Sequence, residues 1–282
     1  MSYQLNLKRA LDEMLAAEPT LNLYFLLDSG GLPGLQRQLS KSFAKWESLF
    51  DCTREQSALS SAPVLVMAGN NGQLLMSRIF LDWLEKTGAY TSSVNILSSA
   101  LNIAALTERL AARLHVKISG NMDAILRFFD PRILESLTKV FTSMQAGEFF
   151  SPVKSWCYVN RMGELKKIDT NFNLIENISS PLIISQNQEF ALLEASEVDQ
   201  VFALLQDNFP SLLAQIPKER QYSLINENMV VARESGIDSI LKFSIYIAVL
   251  LSGKDLESGA ARSELIHCLK SDDFELSGMF KN

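Results

Sequence analysis

Short apolar runs alternate with amphipathic segments over the first half of the chain and somewhat beyond. Several runs end at glycine, asparagine or serine, which is typical of strands that close in turns. Between the runs, apolar residues recur every three or four positions, as in helices that bury one face. The predicted strands are Leu21–Leu27, Trp46–Phe50, Pro63–Met67, Val94–Leu97, Val116–Ser119, Ala124–Phe129 and Trp156–Asn160. The alternation predicts a sheet, partly parallel and partly antiparallel, with helices packed on it.

Four helical patterns accompany these strands. Two of them extend over Leu5–Ala17 and Leu35–Lys45. The apolar face of the third comprises Met76, Ile79, Phe80, Trp83 and Leu84. The apolar face of the fourth comprises Ile103, Leu106, Leu110 and Leu114. Ser98 or Ser99 is the expected N-cap of this fourth helix, because serine hydroxyls accept hydrogen bonds from free helix amides.

The pattern changes after the strand that contains Trp156. Residues 164–188 carry Asn, Ser, Thr and a proline without periodicity, which favours a hinge or linker. The later helices are expected over 190–209, Lys218–Glu234 with Gly236 at its end, Ile237–Leu251 and Ala260–Leu269. The sequence therefore predicts an α+β fold. Its parts are an N-terminal mixed β-sheet lobe with flanking helices (1–165), a hinge (166–188) and an all-α C-terminal lobe (189–282).

The charge balance and cysteine usage narrow the choice of partners and compartment. The chain has a net charge of −6 and no long block of Lys or Arg, which argues against nucleic-acid binding. Its 3 cysteines are widely spaced, as expected in a reduced compartment without disulfides. No apolar run is long enough for membrane insertion, and Met1–Arg9 lacks the apolar core of a secretory signal. We expect a cytoplasmic protein.

The segment Leu126–Leu134 is the most informative part of the chain. Ala124–Phe129 is apolar except for Arg127, which predicts a strand. Asp130 precedes a proline and stays extended, so its carboxylate can cap the next helical turn. Pro131 suits the first helical position, where its missing N–H is not needed. The following helix is predicted to align Ile133, Leu137, Val140, Phe141 and Met144.

Groups that could perform catalysis are sparse. His115 ends a predicted helix, where it can interact with the last carbonyls, and His267 lies in the C-terminal helix. Cys157 follows a tryptophan in a predicted strand and is expected to be a buried thiol. No metal-ligand spacing occurs, so we predict no metal, no cofactor and no catalytic residues. The loop Asp28–Gly34 follows a strand as phosphate-binding loops do, but it lacks their lysine, and its glycines are better explained by tight turns.

The segment around Arg127 carries a resemblance to a known family. RFFDPRIL (Arg127–Leu134), followed by GEFFSPVKSWCYV (Gly147–Val159), resembles the signature of the Tap/TEC family. These proteins, VasW among them, are effector chaperones or adaptors of the bacterial type VI secretion system. Further similar segments, in the family's order, are Leu23–Leu35, Ala62–Gly69, Ser92–Ile118 and Leu204–Pro217.

The resemblance implies a function without catalysis. Such adaptors hold an effector toxin by its N-terminal region and load it onto the spike protein VgrG in the bacterial cytoplasm before secretion. The alternative is an α/β-class hydrolase or nucleotide-dependent enzyme that uses the Asp28–Gly34 loop, with Cys157 or His115 contributing to activity. An enzyme of that class predicts a polar pocket at the strand ends.

Two groups of residues are the candidates for partner binding. Arg127, Asp130 and Arg132 are the charged residues of the signature. They either contact a partner or serve the fold, with Asp130 capping a helix and an arginine folding back onto a carboxylate. The candidates in the helical lobe are Phe202, Leu205, Phe209, Leu212 and Leu213. These apolar residues either bind a partner or fill the core of that lobe.

Overall fold

The chain of the computed structural model divides into two compact units, Met1–Glu194 and Ala195–Asn282. The structure describes residues 5–51, 53–168, 181–253 and 259–270. The predicted α+β class, with an N-terminal mixed β-sheet lobe and an all-α C-terminal lobe, is confirmed. The predicted boundaries at 1–165, 166–188 and 189–282 stay a prediction, and residues 169–180 of the predicted hinge lie outside the described residues.

The described strands of the first unit form a large and a small sheet. In chain order they are β1 (Asn22–Asp28), β2 (Trp46–Ser48), β3 (Pro63–Asn70), β4 (Gln73–Leu74), β5 (Val94–Ser99), β6 (His115–Ile118), β7 (Met122–Ile125), β8 (Ser155–Val159), β9 (Leu165–Ile168) and β10 (Leu182–Ile183). The large sheet has the order β2-β3-β1-β5-β8-β9, with β4 paired to β3, and its described ladders are antiparallel. The small sheet has the order β10-β6-β7, and its β10–β6 pair is parallel.

Helices cover both faces of the large sheet. Those of the first unit are α1 (Leu7–Ala17), α2 (Leu35–Ser42), α3 (Arg78–Gly88), α4 (Ile103–Ala111), α5 (Pro131–Val140) and α6 (Ser143–Phe150). The side chains of β1 alternate between two cores, as the two-residue period of a strand requires. Phe25 and Leu27 pack with α1–α3 in one core, here named the α1–α3 core. Tyr24 and Leu26 pack with α4–α6 in the other, named the α4–α6 core.

The second unit surrounds one buried helix. Its boundary with the first falls within α7 (Gln186–Asn208), and the later helices are α8 (Pro210–Leu213), α9 (Lys218–Glu234), α10 (Ile240–Leu251) and α11 (Gly259–Lys270). Residues 243–249 of α10 are all buried, which confirms the prediction for an apolar helix. Gly236, with a φ of 86°, follows the end of α9 as predicted. No helix among the described residues is long and apolar enough to cross a membrane.

Several local predictions are wrong. The strand predicted over Ala124–Phe129 ends at Ile125, because the residues after it enter the α4–α6 core as an irregular segment. The helix after Asp130 ends at Val140, and the Met144 predicted on its apolar face lies in α6 with an 80% exposed side chain. Ile79, predicted on the apolar face of α3, is 79% exposed.

One further correction concerns a helix cap, and one observation concerns the start of the predicted hinge. Neither Ser98 nor Ser99 caps α4; Asn102 does, since its side chain accepts a hydrogen bond from the Ala105 amide at 3.0 Å. The hydroxyl of Ser99 instead donates to the Pro152 carbonyl at 2.6 Å. The predicted hinge begins with part of β9, which pairs with β8.

Replacing Phe128 by alanine should destabilise the first unit by about 3–5 kcal/mol, because it leaves a cavity in a well-packed core. Phe128 is fully buried, and its ring lies 5.4 Å from that of Phe149 and 6.0 Å from that of Trp156. The matched control is Phe43→Ala, since the Phe43 side chain is 96% exposed. Urea denaturation followed by tryptophan fluorescence measures the effect, because all 3 tryptophans lie in the first unit. Equal destabilisation by both substitutions would contradict this packing.

Candidate functional site

Asp28 is the last residue of β1, and its side chain makes a hydrogen bond to the loop that follows. Its side chain is 6% exposed, and Oδ1 accepts a hydrogen bond from the Gly30 amide at 3.0 Å. Oδ2 accepts one from Nη2 of Arg127, also at 3.0 Å. A phosphate-binding loop leaves its amides free for the ligand, whereas here the carboxylate of Asp28 occupies the Gly30 amide. A Cβ at Gly31 would lie 1.8 Å from the Ser93 hydroxyl oxygen, so close packing explains this glycine.

Asp130 has the local role that the sequence predicts. It caps α5, accepting a hydrogen bond from the Arg132 amide at 2.9 Å, and Pro131 occupies the first turn. The guanidinium of Arg132 folds back on the same carboxylate, with Nη2 donating to Oδ2 at 2.7 Å and Nε to Oδ1 at 3.0 Å. This two-pronged contact holds the arginine in one orientation.

The two ion pairs form one charged surface, named here the arginine–carboxylate site (Asp28, Arg127, Asp130 and Arg132). Asp28 and Asp130 are buried at its base, whereas the side chains of Arg127 and Arg132 are 55% and 42% exposed. The guanidinium of Arg127 also lies 5.4 Å from the ring centre of Phe129, which adds a cation–π contact. The site therefore presents oriented N–H donors that can bind a carboxylate or carbonyl of another molecule.

Burial raises the pKa of Asp28 above its usual value. Removal of water from the carboxylate is the largest cause; the Gly30 amide and the charge of Arg127 oppose it, and the negative charge of Asp130 reinforces it. The negative charge of Asp130 thus opposes the ionisation of Asp28. Without Arg127, Asp28 would hold its proton to still higher pH.

Asn95 anchors the site from within the large sheet. It is fully buried on β5, and its Nδ2 donates to the Phe129 carbonyl at 2.8 Å and to the Leu26 carbonyl at 3.3 Å. Its Oδ1 accepts a hydrogen bond from Trp156 Nε1 at 3.1 Å. This residue is not among the predicted site residues, although a lone amide within the apolar run of Val94–Leu97 is a signal of a buried polar contact.

Arg113 is a second buried polar residue that the sequence analysis missed. Its guanidinium donates to the carbonyls of Phe149 at 2.6 Å, Arg109 at 2.6 Å and Glu148 at 2.9 Å. Those carbonyls lie near the C-terminal ends of α4 and α6, where helix dipoles favour a cation. Burial lowers the pKa of Arg113 to about 10, with the charge of Arg109 acting in the same direction. No local pattern distinguishes this arginine from an exposed one.

The candidates in the helical lobe belong to the second unit. Leu205 and Leu213 are buried in its core. Phe202, Phe209 and Leu212 are partly buried and pack against that core. The structure gathers Arg127, Asp130 and Arg132 in one site of the first unit, and partner binding by any of these residues stays a prediction.

The groups considered for catalysis lie on different structural elements. Cys157 packs in the α1–α3 core, and burial raises the pKa of its thiol. His115 adjoins residues of the α4–α6 core, and its Nε2 lies 3.4 Å from Oε2 of Glu55. In the described part of the chain, no group of three or more His, Cys, Asp or Glu side chains could hold a metal ion.

The first unit is thus an α+β domain with a charged surface formed by two arginines and two buried carboxylates. Residues 23–148 match the family described as Domain of unknown function (DUF4123). The matched range includes the whole arginine–carboxylate site. No curated protein and no solved structure matches the chain.

Substituting Asp28 by asparagine should change how stability depends on pH. Because the folded state raises the pKa of Asp28, it binds more protons than the unfolded state between the two pKa values. The stability contributed by protonated Asp28 is therefore present below pH 3.8 and is lost as the pH rises through the raised pKa. The wild-type unfolding free energy, relative to that of Asp28→Asn, should fall by about 1.4 kcal/mol for each unit of pKa shift.

Urea titrations between about pH 3 and pH 7 measure this difference. Arg127→Gln is the companion variant, because loss of its charge raises the pKa of Asp28 further and should enlarge the fall. A difference that stays constant over this pH range would contradict the burial of an ionisable Asp28.

Proposed function

We propose that this protein is a type VI secretion adaptor of the Tap/TEC type, similar to VasW, that binds an effector toxin by its N-terminal region. It loads the effector onto the VgrG spike in the bacterial cytoplasm before secretion. The observation that carries the proposal is the DUF4123 match over residues 23–148, because that family is associated with type VI effector adaptors.

The geometry of the first unit is consistent with a binding role. The arginine–carboxylate site exposes two guanidinium groups and fixes each through a buried carboxylate. Arginines held in this way lose little side-chain freedom when they bind, which favours recognition of a carboxylate. We propose that Arg127 and Arg132 contact an acidic group of the effector or of VgrG. Phe202, Phe209 and Leu212 are candidates for additional apolar contacts, since they are only partly buried.

We also propose that the protein acts without catalysis. The alternative enzyme would use the Asp28–Gly34 loop, but the carboxylate of Asp28 occupies the Gly30 amide. It would also call on Cys157 or His115, which adjoin different cores of the first unit. These contacts favour a binding protein over a hydrolase or a nucleotide-dependent enzyme.

Co-expression of the full chain with the toxin and spike proteins encoded beside its gene tests the proposed function. We expect a stable complex with the effector on size-exclusion chromatography, and capture of VgrG when the effector is present. A chain that binds neither component would overturn the adaptor function. Turnover of a substrate by the purified chain, abolished by Cys157→Ala or His115→Ala, would favour the alternative enzyme instead.

The double variant Arg127→Gln/Arg132→Gln should weaken the complex about tenfold, the effect of losing about 1.4 kcal/mol. Glutamine keeps a hydrogen-bond donor near each carboxylate but removes the charge. The control is Arg37→Gln, an exposed arginine on α2. Isothermal titration calorimetry with the purified effector or spike measures the change. If the double variant binds as tightly as the control, the arginine–carboxylate site is not the contact, although an adaptor function could still stand.

A further inference from the structure

A groove of about 650 Å³ lies between α4 on one side and β2 with the segment that follows it on the other. From α4, Ala104, Thr107 and Ala111 line it, and the carboxylate-bearing residues that line it are Glu47, Asp51 and Glu108. This volume is within the range of about 300–1,000 Å³ that is usual for ligand sites. The groove lies entirely within the first unit.

The α4 side of the groove is formed by small side chains. The helix buries Ile103, Leu106 and Leu110 in the α4–α6 core, whereas the groove-lining Ala104 is exposed and Ala111 lies at the edge of that core. Alanine methyl groups leave room for an aliphatic chain and give it an apolar surface to pack on.

The carboxylates of the groove lack cationic partners. Within the described residues, neither Glu47, Asp51 nor Glu108 forms an ion pair. Arg54 also lines the groove, but its side chain is 73% exposed and pairs with Asp123 at 3.6 Å. His115 faces Glu55, at 3.4 Å. The groove therefore has an excess of negative charge, which favours a cationic ligand.

We propose that this groove binds a lysine or arginine side chain of a partner polypeptide. The aliphatic stem lies on Ala104 and Ala111, and the charged head pairs with the carboxylates of Asp51 and Glu108. The proposal rests on the proposed adaptor function for the identity of the partner as a polypeptide. It adds an acidic docking site to the exposed guanidinium groups of the arginine–carboxylate site, and two chemically different contacts favour one orientation of the partner.

Short peptides test the groove without the effector. The probes are acetyl-Ala-Ala-Arg-Ala-Ala-amide, its lysine analogue and its citrulline analogue, which is close to arginine in shape but uncharged. Nuclear magnetic resonance of the full chain should show the arginine and lysine peptides shifting the methyl signals of Ala104, Thr107 and Ala111. The citrulline peptide should bind about tenfold more weakly, because it makes no charge-assisted hydrogen bond.

Substitutions inside and outside the groove show whether the peptides bind there. Glu108→Lys should abolish the shifts, and Ala104→Leu should weaken binding about tenfold by filling the groove. Both positions are exposed, so the fold is retained. The control is Glu13→Lys on α1, which packs on the opposite face of the sheet. Equal binding of the citrulline peptide, no binding of any peptide, or tighter binding of spermidine than of the peptides would each overturn the proposal.

Measuring how the variants bind the effector or VgrG distinguishes docking at the groove from the adaptor function itself. We expect Glu108→Lys to weaken a wild-type complex about tenfold, and Glu13→Lys to leave it unchanged. A complex that forms equally well with Glu108→Lys would overturn docking at the groove and leave the adaptor function intact. If the peptides bind the groove as expected while no complex forms, the adaptor function fails, and the cationic specificity of the groove stands.

Discussion

The arginine–carboxylate site depends on one buried amide. Asn95 holds the carbonyl of Phe129 against the large sheet and is itself held by Trp156. Asp130 follows directly, so the position of its carboxylate is fixed by a strand that contributes no charge to the site. If the Asn95 amide were lost, the Phe129 carbonyl and the Trp156 Nε1 group would each lose this hydrogen bond in a low-dielectric core. That loss would lower the stability of the fold. The irregular segment before α5 is therefore joined to the large sheet by the side chain of Asn95.

Buried charge in the first unit is compensated in two different ways. Asp28 and Asp130 pair with arginines whose side chains are partly exposed. Arg113 instead meets backbone carbonyls near helix ends and the hydroxyl of Ser151, with no carboxylate among its described hydrogen-bond partners. The first arrangement leaves guanidinium groups at the surface, where they can act on other molecules. In the second arrangement, the N–H groups of Arg113 bind acceptors inside the protein, so this arginine joins α4 to α6.

Features that depend on interactions between neighbouring residues could be predicted from the sequence, whereas features that depend on distant residues could not. The capping role of Asp130 was predictable because its hydrogen bond reaches only two residues along the chain. The strand predicted over Ala124–Phe129 was wrong because contacts with distant residues draw its second half into the core. The lone amide of Asn95 signals a buried polar contact, but its partners, and the α6 carbonyls that Arg113 binds, lie far along the chain, so the sequence does not identify these contacts. The groove was missed for the same reason, since it joins α4 to the residues after β2.

The strand order has a consequence for synthesis on the ribosome. β1 emerges early, yet it lies between β3 and β5, and β5 in turn requires β8. Both faces of β1 are apolar, so the nascent chain carries an incomplete sheet with exposed apolar surface until Ile168, the end of β9, has been made. Such long-range pairing is slow, because distant segments must meet before any contact stabilises them. A newly made chain is consequently vulnerable to aggregation for most of the time that its first unit takes to be translated.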